Sequence, residues 1–166
     1  MNDNKYQFRL APMSPIIRCL TIAVLVVPLI LLAAAILVQR LLAGPAFFVI
    51  VIFVWVWLRF RPTHFIVHPN ILEVVWPLKR RKIFRAEISA VRIINREELR
   101  HEIGWGLRIG VGGLWGGFGW LWTRKRGIVQ MYISRIDRFI WIELRDNRPW
   151  LITPEDPEAF AQALLQ

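Results

Sequence analysis

The chain has one cysteine, Cys19, among its 166 residues. A single thiol makes no intrachain disulfide and no thiolate metal site. The three histidines, His64, His68 and His101, stand without metal-ligand spacing to a cysteine or a carboxylate cluster. His64 and His68 are four apart, but Pro62 and Pro69 argue against a helix that would bring them together. Nucleotide-loop patterns of the G-x-G-x-x-G or G-x-x-x-x-G-K-[ST] kind are missing, as is any G-x-S-x-G elbow around Ser89 or Ser134. Glu97, Glu98 and Glu102 sit among Arg96, Arg100 and His101, which reads as a solvated charged stretch rather than an acid/base pair. No helix-turn-helix or aromatic ribonucleoprotein pattern points to nucleic acid. These absences leave no catalytic set and no cofactor or metal to expect.

Charge is also missing, entirely, from residues 19–38, CLTIAVLVVPLILLAAAILV. Twenty uncharged residues rise far enough as a helix to cross a hydrocarbon core of about 30 Å. A second apolar run spans Leu41 to Leu58, broken early by Gly44-Pro45. Neither run has a polar stripe at helical period, so neither reads as the surface helix of a soluble domain. The first run is about twice the length of a signal-peptide core and is followed by no good cleavage site. Pro28 is tolerable in a membrane helix, where neighbours re-satisfy the freed carbonyl. The expectation is a transmembrane hairpin over 19–58, after an N-terminal tail over 1–18 and before one domain over 62–166. Lys5, Arg9 and Arg18 precede it and Arg59 and Arg61 follow, which puts both termini in the cytoplasm. Trp55, Trp57 and Phe60 suit the interface at the exit.

Acidic residues are few: 12 against 22 Lys and Arg, a net charge of +10. Eighteen of those basic residues and 11 of the acidic ones lie from Arg59 onward, so the domain carries about +7. Its pattern is β-rich. Runs at 64–67, 71–76, 83–84, 88–94, 118–122, 129–134, 139–144 and 150–152 alternate or are continuously apolar, giving roughly seven short strands with turns at His68-Pro69-Asn70 and Asp146-Asn147-Arg148-Pro149. Residues 95–103 read as a polar loop. Residues 104–122 hold eight of the ten glycines together with Trp105, Trp115, Trp120 and Trp122. Three readings of this segment stand side by side: an ordinary loop packing its tryptophans on the domain, a loop at the bilayer surface, or a third span over 103–123 using the Gly106/Gly110 and Gly112/Gly116 spacing. The chain ends on a helix. Asp156 suits its N-cap, Pro157 its first position, and Phe160, Ala163 and Leu164 one apolar face. Seven antiparallel strands and a helix suggest a curled sheet with one end plugged by Phe160.

Several segments together resemble a known family. They are the basic stretch before the third strand, Arg108 with the Gly-rich stretch ending Gly117-Phe118-Gly119, and Gly127-Ile128-Val129-Gln130-Met131-Tyr132. Ile140-Trp141-Ile142 and Ile152-Thr153-Pro154-Glu155-Asp156-Pro157-Glu158-Ala159-Phe160 complete the set. Over residues 62–165 the chain resembles the bacterial pleckstrin-homology-like (PH) domains that are fused to membrane hairpins. The resemblance implies a seven-strand PH-like barrel capped by a C-terminal helix, at the bacterial inner membrane. Such folds bind lipids, peptides or proteins; the expectation for this chain is a non-catalytic binding or scaffolding module on the cytoplasmic face that engages a protein or peptide partner. The alternative is a sensor of anionic phospholipid headgroups. Its candidate contacts are two basic clusters, Lys79, Arg80, Arg81 and Lys82, and Arg124, Lys125 and Arg126, with Trp120 and Trp122 near the interface.

Overall fold

A computed structural model describes residues 5–38 and 40–165; residues 1–4 of the expected tail, Gln39 of the inter-run turn and Gln166 lie outside the described residues. Helix α1 runs Pro15–Leu37 and α2 runs Ala43–Phe60, joined through a 3-10 turn at Arg40–Leu42. Pro15 opens α1 where a missing N–H costs nothing, and Pro45 falls in the first turn of α2 for the same reason. Both helices are long and apolar enough to cross a membrane, and only 17% and 11% of their most apolar windows is buried.

Residues 5–14 do not form a free tail. Strand β1, Tyr6–Arg9, pairs antiparallel with β2, His64–Val67, so the segments entering and leaving the helix pair lie side by side in one sheet. Beyond β1 the chain is stitched to the rest of the domain. Leu10 bridges Pro154, the Ala11 N–H donates to the Thr153 carbonyl at 2.9 Å, and the buried Ser134 hydroxyl donates to the Ala11 carbonyl at 2.6 Å. The first sheet is completed by β3, Ile71–Val75, and β4, Arg80–Phe84, in the order β1-β2-β3-β4.

A 3-10 turn at Arg85–Glu87 redirects the chain after β4. The following strand, β5, Ile88–Ile94, therefore starts a second sheet instead of extending the first. That sheet also contains β6 (Gly106–Gly112), β7 (Gly117–Thr123), β8 (Gly127–Ile133), β9 (Phe139–Leu144) and β10 (Trp150–Ile152). Its order is β5-β9-β10-β8-β7-β6. The expected closed barrel of about seven antiparallel strands is thus corrected: among the described residues there are ten strands in two sheets, and the sheets do not close. Strand β10 also inserts between β9 and β8, running antiparallel to one and parallel to the other.

The sheets pack face to face. Phe65, Val67, Leu72, Val74 and Ile83 of the first meet Phe118, Tyr132, Ile140, Ile142, Trp150 and Ile152 of the second. Alternation along FIWIEL sends Ile140, Ile142 and Leu144 into this core and Phe139 and Trp141 to the opposite face, where a second core gathers Val129, Met131 and Leu151. Ile103 and Leu99 of helix α3, Arg96–Ile103, cover that second core. The polar loop expected at 95–103 is therefore corrected to a helix. Its start carries a capping box: Asn95 Oδ1 accepts from the N–H groups of Glu97 and Glu98, and Glu98 returns a bond to the Asn95 N–H at 2.8 Å.

The Gly-rich segment is neither a loop nor a third span but an antiparallel ribbon, β6–β7. Gly110 and Gly119 face each other at φ +139° and +128°. A Cβ on Gly110 would stand 2.4 Å from the Phe118 carbonyl oxygen, and one on Gly119 2.6 Å from that of Ile109. Only glycine fits so close a crossing.

Helix α4, Pro157–Leu165, closes one side of the main core. Asp156 Oδ1 accepts from the Ala159 N–H at 3.0 Å, and Pro157, Phe160 and Leu164 are buried. The Phe160 ring meets Phe65 edge-on at 5.9 Å and Phe8 of the N-terminal strand at 5.3 Å. Truncating so enclosed an aromatic costs about 3–5 kcal/mol. Phe160→Ala is expected to lower the chain's unfolding free energy by that amount in denaturant titration, and Gln162→Ala by a few tenths; equal small losses would mean that α4 is not docked.

Candidate functional site

The surface where the helix pair meets the domain is the most heavily built feature outside the cores. The β3–β4 turn hooks onto the end of α2, with Trp76 Nε1 donating to the Phe60 carbonyl at 3.0 Å. A groove of about 650 Å³ opens beside it, lined in part by His64, Trp76, Leu78 and Lys79, and Leu78 stands exposed at the turn. The β6–β7 tip also reaches the helices. There Thr21 Oγ1 accepts from the Trp115 N–H at 2.9 Å and faces the Gly113 carbonyl at 3.0 Å, sharing its proton with the Ile17 carbonyl at 2.8 Å. Trp115 adopts φ +58°, rare for a bulky residue, and its ring packs edge-on against Trp57 at 4.8 Å. The tip is held in a conformation it would not choose alone.

Strand alternation divides the first basic cluster. Arg81 pairs across the sheet with Val74, a core residue, and so shares the inner face; Arg80 and Lys82 oppose Val75 and Glu73 and share the outer face. On that outer face Glu73 is buried, 3.7 Å from Arg80 and 3.6 Å from His68. On the inner face the Arg81 guanidinium lies 4.8 Å from the Trp150 ring centre and donates to Gln130 Oε1 at 2.8 Å. Lys79 Nζ stands 4.5 Å over the Trp76 ring. Burial, then the charges of Arg59 and Arg81, hold the Lys79 ammonium below its ordinary range. Tyr132 packs between Trp76 and Trp150 at 5.2 and 5.3 Å, and burial pushes its phenol up, so it stays a neutral donor.

The second basic cluster lies elsewhere. Lys125 donates to the His101 carbonyl, and Arg126 pairs with Glu102 and lies 3.7 Å from Glu143. Burial alone would raise the Glu102 carboxyl, but the hydrogen bonds from Arg92 and Arg126 outweigh it and hold it below its ordinary value. At about 3.3 Å per residue, the seven-residue ribbon sets this turn roughly 23 Å from the tip on the helices. The 124–126 side chains bond to α3 and β9 and share no partner with those of the first cluster.

Trp120 and Trp122 share one face of the ribbon with Ile109 and Leu107, their cross-strand partners, and all four are 44–53% exposed. Trp105, 65% exposed, meets Trp122 edge-on. Trp120 is also the cross-strand partner of Gln130, the residue that binds Arg81. The uncovered apolar face and the inward arginine are thus neighbours.

A family model described as "Bacterial PH domain" matches residues 63–166. The chain belongs to the bacterial PH domain family. No curated protein and no solved structure matches it. The PH region alone omits β1, Thr21, Trp57 and Arg59, all of which contact or approach it in this chain. Sequence reasoning missed Thr21, Trp115, Gln130 and Tyr132 as parts of this surface. Alternation could have separated Arg81 from its neighbours, since it sits two residues before the apolar Ile83 of the same strand. Among the described residues, no group of three or more His, Cys, Asp or Glu side chains could hold a metal ion.

The Thr21 contact is testable. Thr21→Val strands a half-buried N–H and carbonyl at the ribbon tip, worth about 1–3 kcal/mol. Amide exchange over 113–117 is expected to accelerate by one to two orders of magnitude, with Thr21→Ser close to the parent. Unchanged exchange in Thr21→Val would contradict the contact.

Proposed function

We propose that this chain is an integral binding module of the bacterial inner membrane, a two-span anchor with its PH domain on the cytoplasmic face. It carries no catalytic role: PH domains are in general binding modules, and its function is to hold a protein or peptide partner at the bilayer. The observation that carries the reading is the β1–β2 pairing. A chain that enters and leaves the helix pair through adjacent strands of one sheet must have both ends of that pair on one side. The Lys/Arg flanks make that side the cytoplasm.

Attachment at three places gives the domain a fixed orientation rather than a swinging one. The end remote from the helices, with α3 and the 124–126 turn, is then the surface offered to a protein. Resistance to alkaline extraction and silence of a periplasm-dependent reporter fused after Gln166 are the expected results; release from the membrane, or an active reporter, would contradict the anchor. A photo-crosslinker at Arg124 or Glu97 is expected to capture a distinct protein in intact cells. Capture of nothing but lipid or further copies of this chain would contradict the protein-partner reading.

A further inference from the structure

We propose that β6 is a dimerisation strand: its free edge pairs antiparallel with β6 of a second copy of this chain, about a twofold axis through Ile109. The pairing stands apart from the proposed anchor and its protein partner, since nothing in it requires a bilayer or a third molecule.

The inference starts from how the two sheets protect their edges. An unpaired strand edge is a row of free N–H and C=O groups, and native proteins blunt it with charge, proline, a bulge, shortness or a cover. Edge strand β1 is closed off just beyond its end, by the Leu10–Pro154 bridge and by the Glu155 N–H, which donates to the Arg9 carbonyl at 2.9 Å. β4 carries Arg80, Arg81 and Lys82 in succession. β5 is irregular between Ile88 and Ala90 and packs against α4. Among the described residues β6 has none of these devices. It runs seven residues, Gly-Leu-Arg-Ile-Gly-Val-Gly, without proline, and its pairing with β7 is unbroken from Gly106 to Gly112. Its one charge is turned away from the free edge. A Cβ on Gly112 would stand 3.0 Å from Arg108 Nη1, and one on Gly117 3.2 Å from its Cζ, so the guanidinium lies back over the ribbon itself.

Hydrocarbon cannot satisfy such an edge, because it offers no hydrogen-bond partner and each unpaired group costs several kcal/mol there. A second copy can, because the strand is nearly palindromic about Ile109. In antiparallel register Gly106 faces Gly112, Leu107 faces Val111, and Ile109 faces its own copy. Arg108 meets Gly110, which has no side chain to crowd it, and no like charges stand directly opposite each other. Leu107, Ile109 and Val111 lie on the face that also carries Trp120 and Trp122, so apolar side chains adjoin apolar ones across the axis. A contact of this self-complementary kind closes at two chains. The outer strands of the joined sheet are then the two copies of β5, which α4 already covers.

Disulfide trapping of the full-length protein in detergent micelles tests this, in a Cys19→Ser background. Ile109→Cys is expected to bridge two chains, because a residue on the axis faces its copy at about 4.5–5.5 Å between Cα atoms, within disulfide range. Leu107→Cys and Val111→Cys should each bridge little alone, since each lies four residues, about 14 Å along the strand, from its own copy. Co-expressing those two variants should restore bridging between them. Native mass spectrometry of the parent protein is expected to show two chains. Ile109→Lys sets two ammonium groups opposite each other and should raise the dissociation constant about tenfold. Ile109 is 49% exposed, so the fold should tolerate the change; if circular dichroism shows that it does not, the trapping pattern decides alone. Equal bridging by the three single variants would mean random collision and would overturn the pairing. A monomeric parent protein would overturn it too, as would a dimer in which Ile109→Cys forms no bridge.

Discussion

The pairing of β1 with β2 is the constraint on which the rest of the architecture depends. Four residues ahead of one apolar helix are matched, Tyr6 to Val67 through Arg9 to His64, with four residues behind the other. The helix pair is thereby an insertion between two neighbouring strands of a sheet, not an anchor hung from one end of a domain. Phe8 of β1 contributes to the wall around Phe160, so the seating of the C-terminal helix and the seating of the N-terminus are one packing problem. The hydrogen bonds of Ala11 and Ser134 extend the join to the second sheet, where water is excluded and a broken bond is expensive.

Once the ends are fixed, the two remaining contacts with the helices acquire a mechanical meaning. The Trp76 indole ties the β3–β4 turn to the exit of α2, and Thr21 ties the ribbon tip to α1. Three attachments define an orientation. The six-stranded sheet is wider than the four-stranded sheet that covers it, so β6 and β7 are left overhanging, with the tryptophans of β7 turned outward. The incomplete closure that departs from a barrel is the same feature that exposes the apolar face and leaves Arg81 at an open edge.

Much of this was legible in the chain itself. The two helices follow from the absence of charge, and the cap and apolar face of α4 from Asp156, Pro157, Phe160 and Leu164. The β-rich character follows from alternation, cleanest in FIWIEL. Other parts were hidden for physical reasons. Helix α3 has a strong capping box but only Leu99 and Ile103 to bury, so composition argued for a loop while the cap argued for a helix. The ribbon was masked by its glycines, which reduce strand propensity yet are required where Gly110 meets Gly119. The run of four basic residues at 79–82 looked like one patch because a linear reading ignores the pleat; the strand sends Arg81 one way and Arg80 and Lys82 the other. β1 is too short, at four residues, to be read without its partner 55 or more positions away, and pairing over such a separation leaves no local signal.

The central claim is that the segments flanking the helix pair are neighbouring strands of one sheet in the membrane-bound protein. Register makes Gln7 and Ile66 direct partners, at a separation suited to a disulfide. The measurement is oxidation of the full chain carrying Gln7→Cys and Ile66→Cys, with Cys19→Ser to remove the native thiol, in isolated membranes. The account predicts rapid intrachain bridging, detected as a mobility shift reversed by reductant, and little bridging when Gln7→Cys is instead combined with Glu97→Cys on α3. Equal reactivity of the two pairs, or bridges forming only between chains, would contradict it.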